Sequence, residues 1–231
     1  MKSRNYKIFL IIVFVIAWVW SAWNPVHPHD WLLENYLVFI FVPIILITGR
    51  WFRLSNISYT LITIYMIMHV IGSHYTYSEV PFGYTLQEWL GASRNMYDRL
   101  VHFSYGFLLA YPVREMFLRL AHAKGIWGYF FPIDITFAFS AIYEIIEWRA
   151  AASVDISTGL AFLGSQGDIW DAQKDMLLAG VGAILAMLIV FLINASFQKG
   201  FWKELWESLK PRKHDTPLGE NKLNEYLHGK N

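Results

Sequence analysis

Six apolar runs recur along the chain, at about 8–23, 33–48, 56–72, 99–120, 128–147 and 175–194. Each is near the length an α-helix needs to cross about 30 Å of hydrocarbon. Backbone inside a bilayer has to satisfy its own hydrogen bonds, and a helix does so within one segment. The runs therefore predict an all-α, polytopic membrane bundle of about six transmembrane helices. Composition agrees, since 55% of residues are hydrophobic and 18% aromatic, more than a soluble core of 231 residues uses. Pro43 and Pro112 fall inside two runs and are read as kinks that neighbouring helices tolerate. The first run follows Lys2, Arg4 and Lys7, as a secretory signal would. It ends Trp18-Val19-Trp20-Ser21-Ala22-Trp23, bulky where a cleavage site wants small side chains, so a retained helix is expected.

Orientation follows from where the cations sit. Of 19 Lys and Arg residues, fifteen lie at the N-terminus, in the second and fourth loops and in the tail. The other side holds four, Arg94, Arg99, Arg149 and Lys174. Positive residues resist translocation, so both termini are expected in the cytoplasm, N-in and C-in. Residues 1–198 are read as the transmembrane domain and 199–231 as a cytoplasmic polar tail with a short interfacial helix around Trp202 and Trp206. A net charge of +1 gives no reason to expect nucleic acid as a partner. The absence of cysteine removes disulfides, thiolate metal sites and Cys nucleophiles together.

The ionisable residues near helix ends fall mostly on one side. The third run closes with His69 and His74, and the fourth opens with Asp98 and His102. The fifth closes with Glu144 and Glu147, and the sixth is introduced by Asp168, Asp171 and Asp175. Asp98 and His102, and Asp171 and Asp175, are four apart, and the two Glu are three apart, so each pair shares a helix face. Unpaired carboxylates at a membrane edge cost several kcal/mol by order of magnitude, so these groups are expected to face inward and meet. Arg99 and Arg149 are the neighbouring cations expected to offset them. A bound divalent metal would cover the remaining deficit, and His69, Asp98, His102, Glu144, Asp171 and Asp175 are its candidate ligands. Mixed imidazole and carboxylate donors suit Zn, Mn or Fe, and a carboxylate-weighted subset suits Mg or Mn.

Plainer roles compete. Asp98 suits the helix N-terminus, His102 suits a hydrogen-bonded packing position, and one or two of the three Asp suit caps. Glu144 resists that account, lying about a turn inside an apolar run where burial penalises an anion. His27, His29, Asp30 and Glu34 are read as a solvated turn, and Glu115 as solvated. Two outer connections, from about Ser73 to Tyr97 and from about Arg149 to Trp170, are longer than connectivity needs and read as lids. Gly180 and Gly182 are expected to permit close helix packing.

The strings from His69 to Tyr77, Asn95 to Phe103, Glu144 to Trp148 and Gly167 to Asp175 resemble the YjdF-like bacterial inner-membrane proteins. The likeness spans about residues 5 to 198 and implies an inner-membrane location without a mechanism. A shorter pattern, Asp then His-Phe, Glu on the next helix and spaced Asp before a Gly-Ala helix, is similar to the VanZ-like membrane proteins linked to glycopeptide resistance. That likeness points to the cell envelope.

Three functions are carried forward. The first is a metal-dependent hydrolase or transferase acting on a lipid or lipid-linked envelope substrate at the periplasmic face, with His74, Glu147 or Asp168 in the acid and base steps. No Ser elbow, HExxH or phosphate-binding Gly loop accompanies it. The second is an ion- or proton-coupled transporter, for which the inner half offers little beyond Asp134. The third is a non-catalytic assembly or regulatory protein whose cluster ties helix ends together. Membrane lipid is the expected partner in each, and no feature fixes an oligomeric state.

Overall fold

The computed structural model describes residues 3–154, 156, 159, 163–210, 223 and 225–229, and these contain helices and no strand. In chain order the helices are α1 (Ser3–Ala22), α2 (Pro28–Thr48), α3 (Asn56–Tyr75), α4 (Pro81–Leu90), α5 (Tyr97–Arg119), α6 (Trp127–Ala151), α7 (Asp171–Phe197) and α8 (Phe201–Glu207). Five of them, α1, α2, α3, α6 and α7, are long and apolar enough to cross a membrane. The sixth long helix, α5, has 23 residues but carries charges at both ends, which lowers its apolar content. It lies against α3, α6 and α7, so its polar groups meet other helices before they meet lipid.

The helices form two groups around α5. On one side α7 packs most closely on α5, with α6 against both. On the other α3 packs on α5 and carries α1 and α2. The α5–α7 contact is backbone to backbone. A Cβ at Gly106 would run into the Ala179 carbonyl and one at Gly182 into the Phe103 carbonyl. Gly180 instead makes room for the Phe137 ring of α6.

Local chemistry sets the helix ends. Ser55 caps α3, its hydroxyl accepting from the Ser58 amide at 3.2 Å. Glu115 of α5 is not solvated as the sequence suggested, because it accepts both the Ser55 amide at 2.9 Å and the Ser58 hydroxyl at 2.6 Å. The first long connection contains a helix, α4, with Pro81 in its first turn and a left-handed Gly91 after it. Asn95 fixes that connection, its side chain donating to the Val80 carbonyl at 2.9 Å. Gln166 accepts the Asn95 amide at 2.9 Å and donates to the Asn95 carbonyl at 3.3 Å. The two long connections are thus stitched together beside the start of α5. Parts of the second, at 155, 157, 158 and 160–162, lie outside the described residues, as does most of the tail beyond 210. The short helix expected there is α8. It buries Phe201 against Tyr129 and Phe191 and leaves Trp202 and Trp206 exposed.

Candidate functional site

The polar ends of α5, α6 and α7 meet at the end of the bundle opposite the start of α1. Arg94, four residues before Asp98, and Arg99 organise it. Both are buried. Arg99 reaches Asp175 Oδ2 at 2.5 Å, Asp171 Oδ1 at 2.6 Å and Asp168 Oδ2 at 3.0 Å. Arg94 pairs with Asp171 and, at 3.5 Å, with Asp98 Oδ2. It also donates to the Gly164 and Ser165 carbonyls at 3.2 Å, tying down the connection before α7. At the rim Lys174 donates to Asp168 at 2.6 Å. That bond and the Trp170 amide hold the Asp168 carboxyl below the ordinary aspartate pKa.

Two ligand candidates therefore give one oxygen to an arginine and keep the other. Asp98 spends Oδ2 on Arg94 and turns Oδ1 toward His102 Nε2, 3.5 Å away. Asp175 spends Oδ2 on Arg99, and its buried Oδ1 has no partner. Glu144 Oε1 lies 3.7 Å from the same His102 nitrogen and is likewise buried without a hydrogen bond. Donor atoms of Asp98, His102 and Asp175 all fall within 4.8 Å of one another. A cation held at about 2.0–2.3 Å needs donors some 3–4 Å apart, so the group requires only a small contraction to close on one. Its arginine partners already fix the carboxylate orientations, which is what outer-shell groups do around a metal.

A second polar group adjoins it. Tyr143 donates to Glu34 Oε2 at 3.0 Å, and Glu147 lies within hydrogen-bonding reach of Glu144. Among the described residues no Lys or Arg pairs with Glu34, Glu144 or Glu147.

Of the residues singled out in the sequence, the structure brings Asp98, His102, Glu144 and Asp175 into one group. Asp171 and Asp168 serve the arginines and Lys174. His69 sits apart, with Nε2 3.2 Å from the Glu34 carbonyl and Nδ1 2.5 Å from the Tyr77 hydroxyl. His74 is farther off, with Nδ1 3.0 Å from the Ser21 carbonyl and its ring stacked on Trp20. Arg149 lies over the Trp148 ring and forms no ion pair among the described residues, so Arg94 takes the role expected of it. Sequence reasoning missed Arg94, Tyr143 and Glu34. The i, i+4 spacing of Arg94 and Asp98 was the available signal for the first.

Residues 6–196 match the family described as "Predicted membrane protein (DUF2238)". The chain belongs to this family. The DUF2238 match covers every residue of the site and runs from within the first turn of α1 to one residue short of the end of α7. A curated relative, "Inner membrane protein YjdF" of Escherichia coli (strain K12), is 40% identical over 172 residues, 73% of this chain and 82% of the relative. No solved structure matches. The DUF2238 chain is an integral, multi-pass inner-membrane protein.

Proposed function

We propose that this chain is a divalent-cation-dependent membrane enzyme, a hydrolase or transferase, working at the periplasmic face on a lipid or lipid-linked envelope substrate. Both termini lie in the cytoplasm in this reading. The excess of Lys and Arg at the terminal end supports that orientation. So does the pairing of Arg94, Arg99 and Lys174 at the opposite end, where carboxylates offset their charge.

The observation that carries the reading is the pair of buried, unpartnered oxygens, Glu144 Oε1 and Asp175 Oδ1, beside Asp98 Oδ1 and His102 Nε2. Stranded carboxylate oxygens are costly in a low-dielectric site, and a cation removes that cost. One imidazole among oxygen donors suits Zn, Mn or Fe better than Mg. Such an ion supplies Lewis acidity and a bound water of lowered pKa. Glu147, within hydrogen-bonding reach of Glu144, is the further carboxyl assigned proton exchange in this reading. The exposed apolar side chains Phe82, Trp89, Leu90, Ile169 and Trp170 around this end suit a substrate with an acyl or polyprenyl chain.

Metal analysis tests it. The purified protein should carry about one divalent ion per chain, and the Asp98→Asn, Asp175→Asn double variant should lose it while still folding. A metal-free wild type that fails to reload from added Zn, Mn or Fe salts would end the proposal. Transport is the second reading, favoured by buried hydroxyls at Thr136 and Ser140 below the site. Vesicle uptake that depends on Glu144 would move it to first place.

A further inference from the structure

Lys7 of α1, Arg53 of the α2–α3 connection and Arg119 of α5 meet at the end of the bundle where the chain starts. Lys7 Nζ donates to the Leu54 carbonyl at 3.3 Å, and Arg119 Nη1 to the Arg53 carbonyl at 2.6 Å. Arg53 and Arg119 stand near enough to Lys7 to repel it, and Glu115 near enough to attract it. Glu115 is already engaged. It accepts the Ser55 amide at 2.9 Å, the Ser58 hydroxyl at 2.6 Å and Arg119 at 2.6 Å. Among the described residues Lys7 and Arg53 form no ion pair.

The opposite end treats its cations differently, for there Arg94, Arg99 and Lys174 each pair with aspartate. Here aromatic rings stand where carboxylates might. Lys7 Nζ lies 4.4 Å from the centre of the Tyr59 ring, and the Arg119 guanidinium 4.3 Å from that of Phe52. A ring face attracts a cation without cancelling its charge. Three cations against one carboxylate therefore leave a positive patch. Donor capacity is left over too. Lys7 spends one of its three N–H groups on Leu54, the printed bonds of Arg119 all run through Nη1, and Arg53 is exposed.

The surroundings set the depth of this patch. Trp51, two residues before Arg53, is 79% exposed, and exposed tryptophan belongs at the level of lipid headgroups. One turn further into the bilayer the surface is apolar, with Ile11 exposed below Lys7 on α1 and Met116 exposed below Arg119 on α5. A cationic rim over an apolar helix surface matches the two parts of a phospholipid.

We propose that Lys7, Arg53 and Arg119 form a binding site for an anionic phospholipid, one whose phosphodiester carries no compensating amine, in the leaflet nearest the start of the chain. The phosphate oxygens accept from the three side chains, and the acyl chains lie over Ile11 and Met116. A zwitterionic lipid would bring its own ammonium into a patch that already holds excess positive charge, so the site selects by net headgroup charge. Glu115 is a positioning residue: its bonds to Ser55 and Ser58 hold the connection against α5 and its bond to Arg119 aims the guanidinium. The site lies at the other end of the bundle from Asp98, His102 and Asp175 and stands whether or not a cation binds there.

Thermal unfolding of the full chain in detergent, titrated with dioleoyl phosphatidylglycerol or with dioleoyl phosphatidylcholine, tests it. Phosphatidylglycerol should raise the melting temperature of the wild type and phosphatidylcholine should not. Lys7→Gln with Arg53→Gln removes two charges and leaves the Arg119–Glu115 pair intact. Each Lys or Arg beside an anionic lipid is worth about fivefold in affinity, so this double variant should need about 25-fold more phosphatidylglycerol for the same rise. Lys199→Gln with Lys203→Gln removes equal charge from exposed positions at the same end and should titrate as wild type does. Should the first double variant not fold, Arg53→Gln alone, altered at an exposed side chain, should show the fivefold weakening. A wild type that answers both lipids alike, a Lys7 and Arg53 variant that titrates as wild type does, or a Lys199 and Lys203 variant weakened as much would overturn the proposal. So would an equal rise from inorganic phosphate, which would make the ligand a free anion and not a lipid.

Discussion

Arg99 shows why the site uses arginine where a lysine would carry the same charge. Its guanidinium meets carboxylates from three Asp residues and the Asp171 carbonyl at once, at 2.5 to 3.0 Å. A planar fork of five donors reaches those directions together, and a single ammonium does not. Asp168 at the rim is the member of this network most open to test. Its folded pKa is depressed, first by the Lys174 hydrogen bond and then by the Trp170 amide. A depressed carboxylate contributes stability above its unfolded pKa, near 3.9, and loses it as pH falls through the folded value. Wild type should therefore be more stable than Asp168→Asn at neutral pH, and the gap should close as the pH drops below about 4. Thermal unfolding across that range checks it, and a gap that widens on acidification would refute it. At this scale the sequence was readable where spacing alone fixes neighbours, as with Asp98 and His102 or Asp171 and Asp175. It was unreadable where the partner comes from another helix. Glu34 reads as part of a polar turn, yet α2 starts at Pro28, which places it more than a turn inside the helix and 3.0 Å from Tyr143 of α6.

The helices themselves were legible because a bilayer imposes length and apolarity together. Apolar runs gave each crossing but cut its ends short, since helical backbone continues through charged residues. The last run begins at 175, whereas α7 begins at Asp171 and carries the site Asp residues on its first turns. α4 was missed as a helix because its ten residues are too few to show a period, although Pro81 and Gly91 bracket it. Glycine read as close packing was right for Gly182. Its counterpart Gly106 was not singled out, since one glycine carries no sign of which helix it will face. These two positions set the α5–α7 separation, and with it the reach of Arg99 to Asp175. A methyl at Gly106 would overlap the Ala179 carbonyl, a backbone atom that cannot turn aside. Gly106→Ala is expected to cost about 1–3 kcal/mol in a thermal unfolding measurement, as overpacking does. An unchanged melting temperature would mean that the two backbones are not in contact.

At the scale of the whole molecule the polar groups are unevenly distributed. The end bearing the site holds Arg94, Arg99 and Lys174 locked in ion pairs, while most other cations lie at the end where the chain starts. Ion pairs occur at both ends, since Arg119 pairs with Glu115 and Lys203 with Glu207 at the end where the chain starts, so it is the count of Lys and Arg that favours one orientation. In the orientation proposed above, with both termini in the cytoplasm, the Asp98–His102–Asp175 group would face the periplasm, within reach of an envelope lipid. A reversed chain would expose the group to cytosolic substrates. The absence of cysteine makes the choice measurable with single introduced thiols. Ser153 is exposed just beyond α6 at the site end, and Trp51 is 79% exposed in the α2–α3 connection at the other. In intact bacterial cells a membrane-impermeant maleimide should label the Ser153→Cys protein at once and the Trp51→Cys protein only after permeabilisation. The opposite pattern would invert the molecule, and the envelope substrate would have to be abandoned along with the periplasmic site.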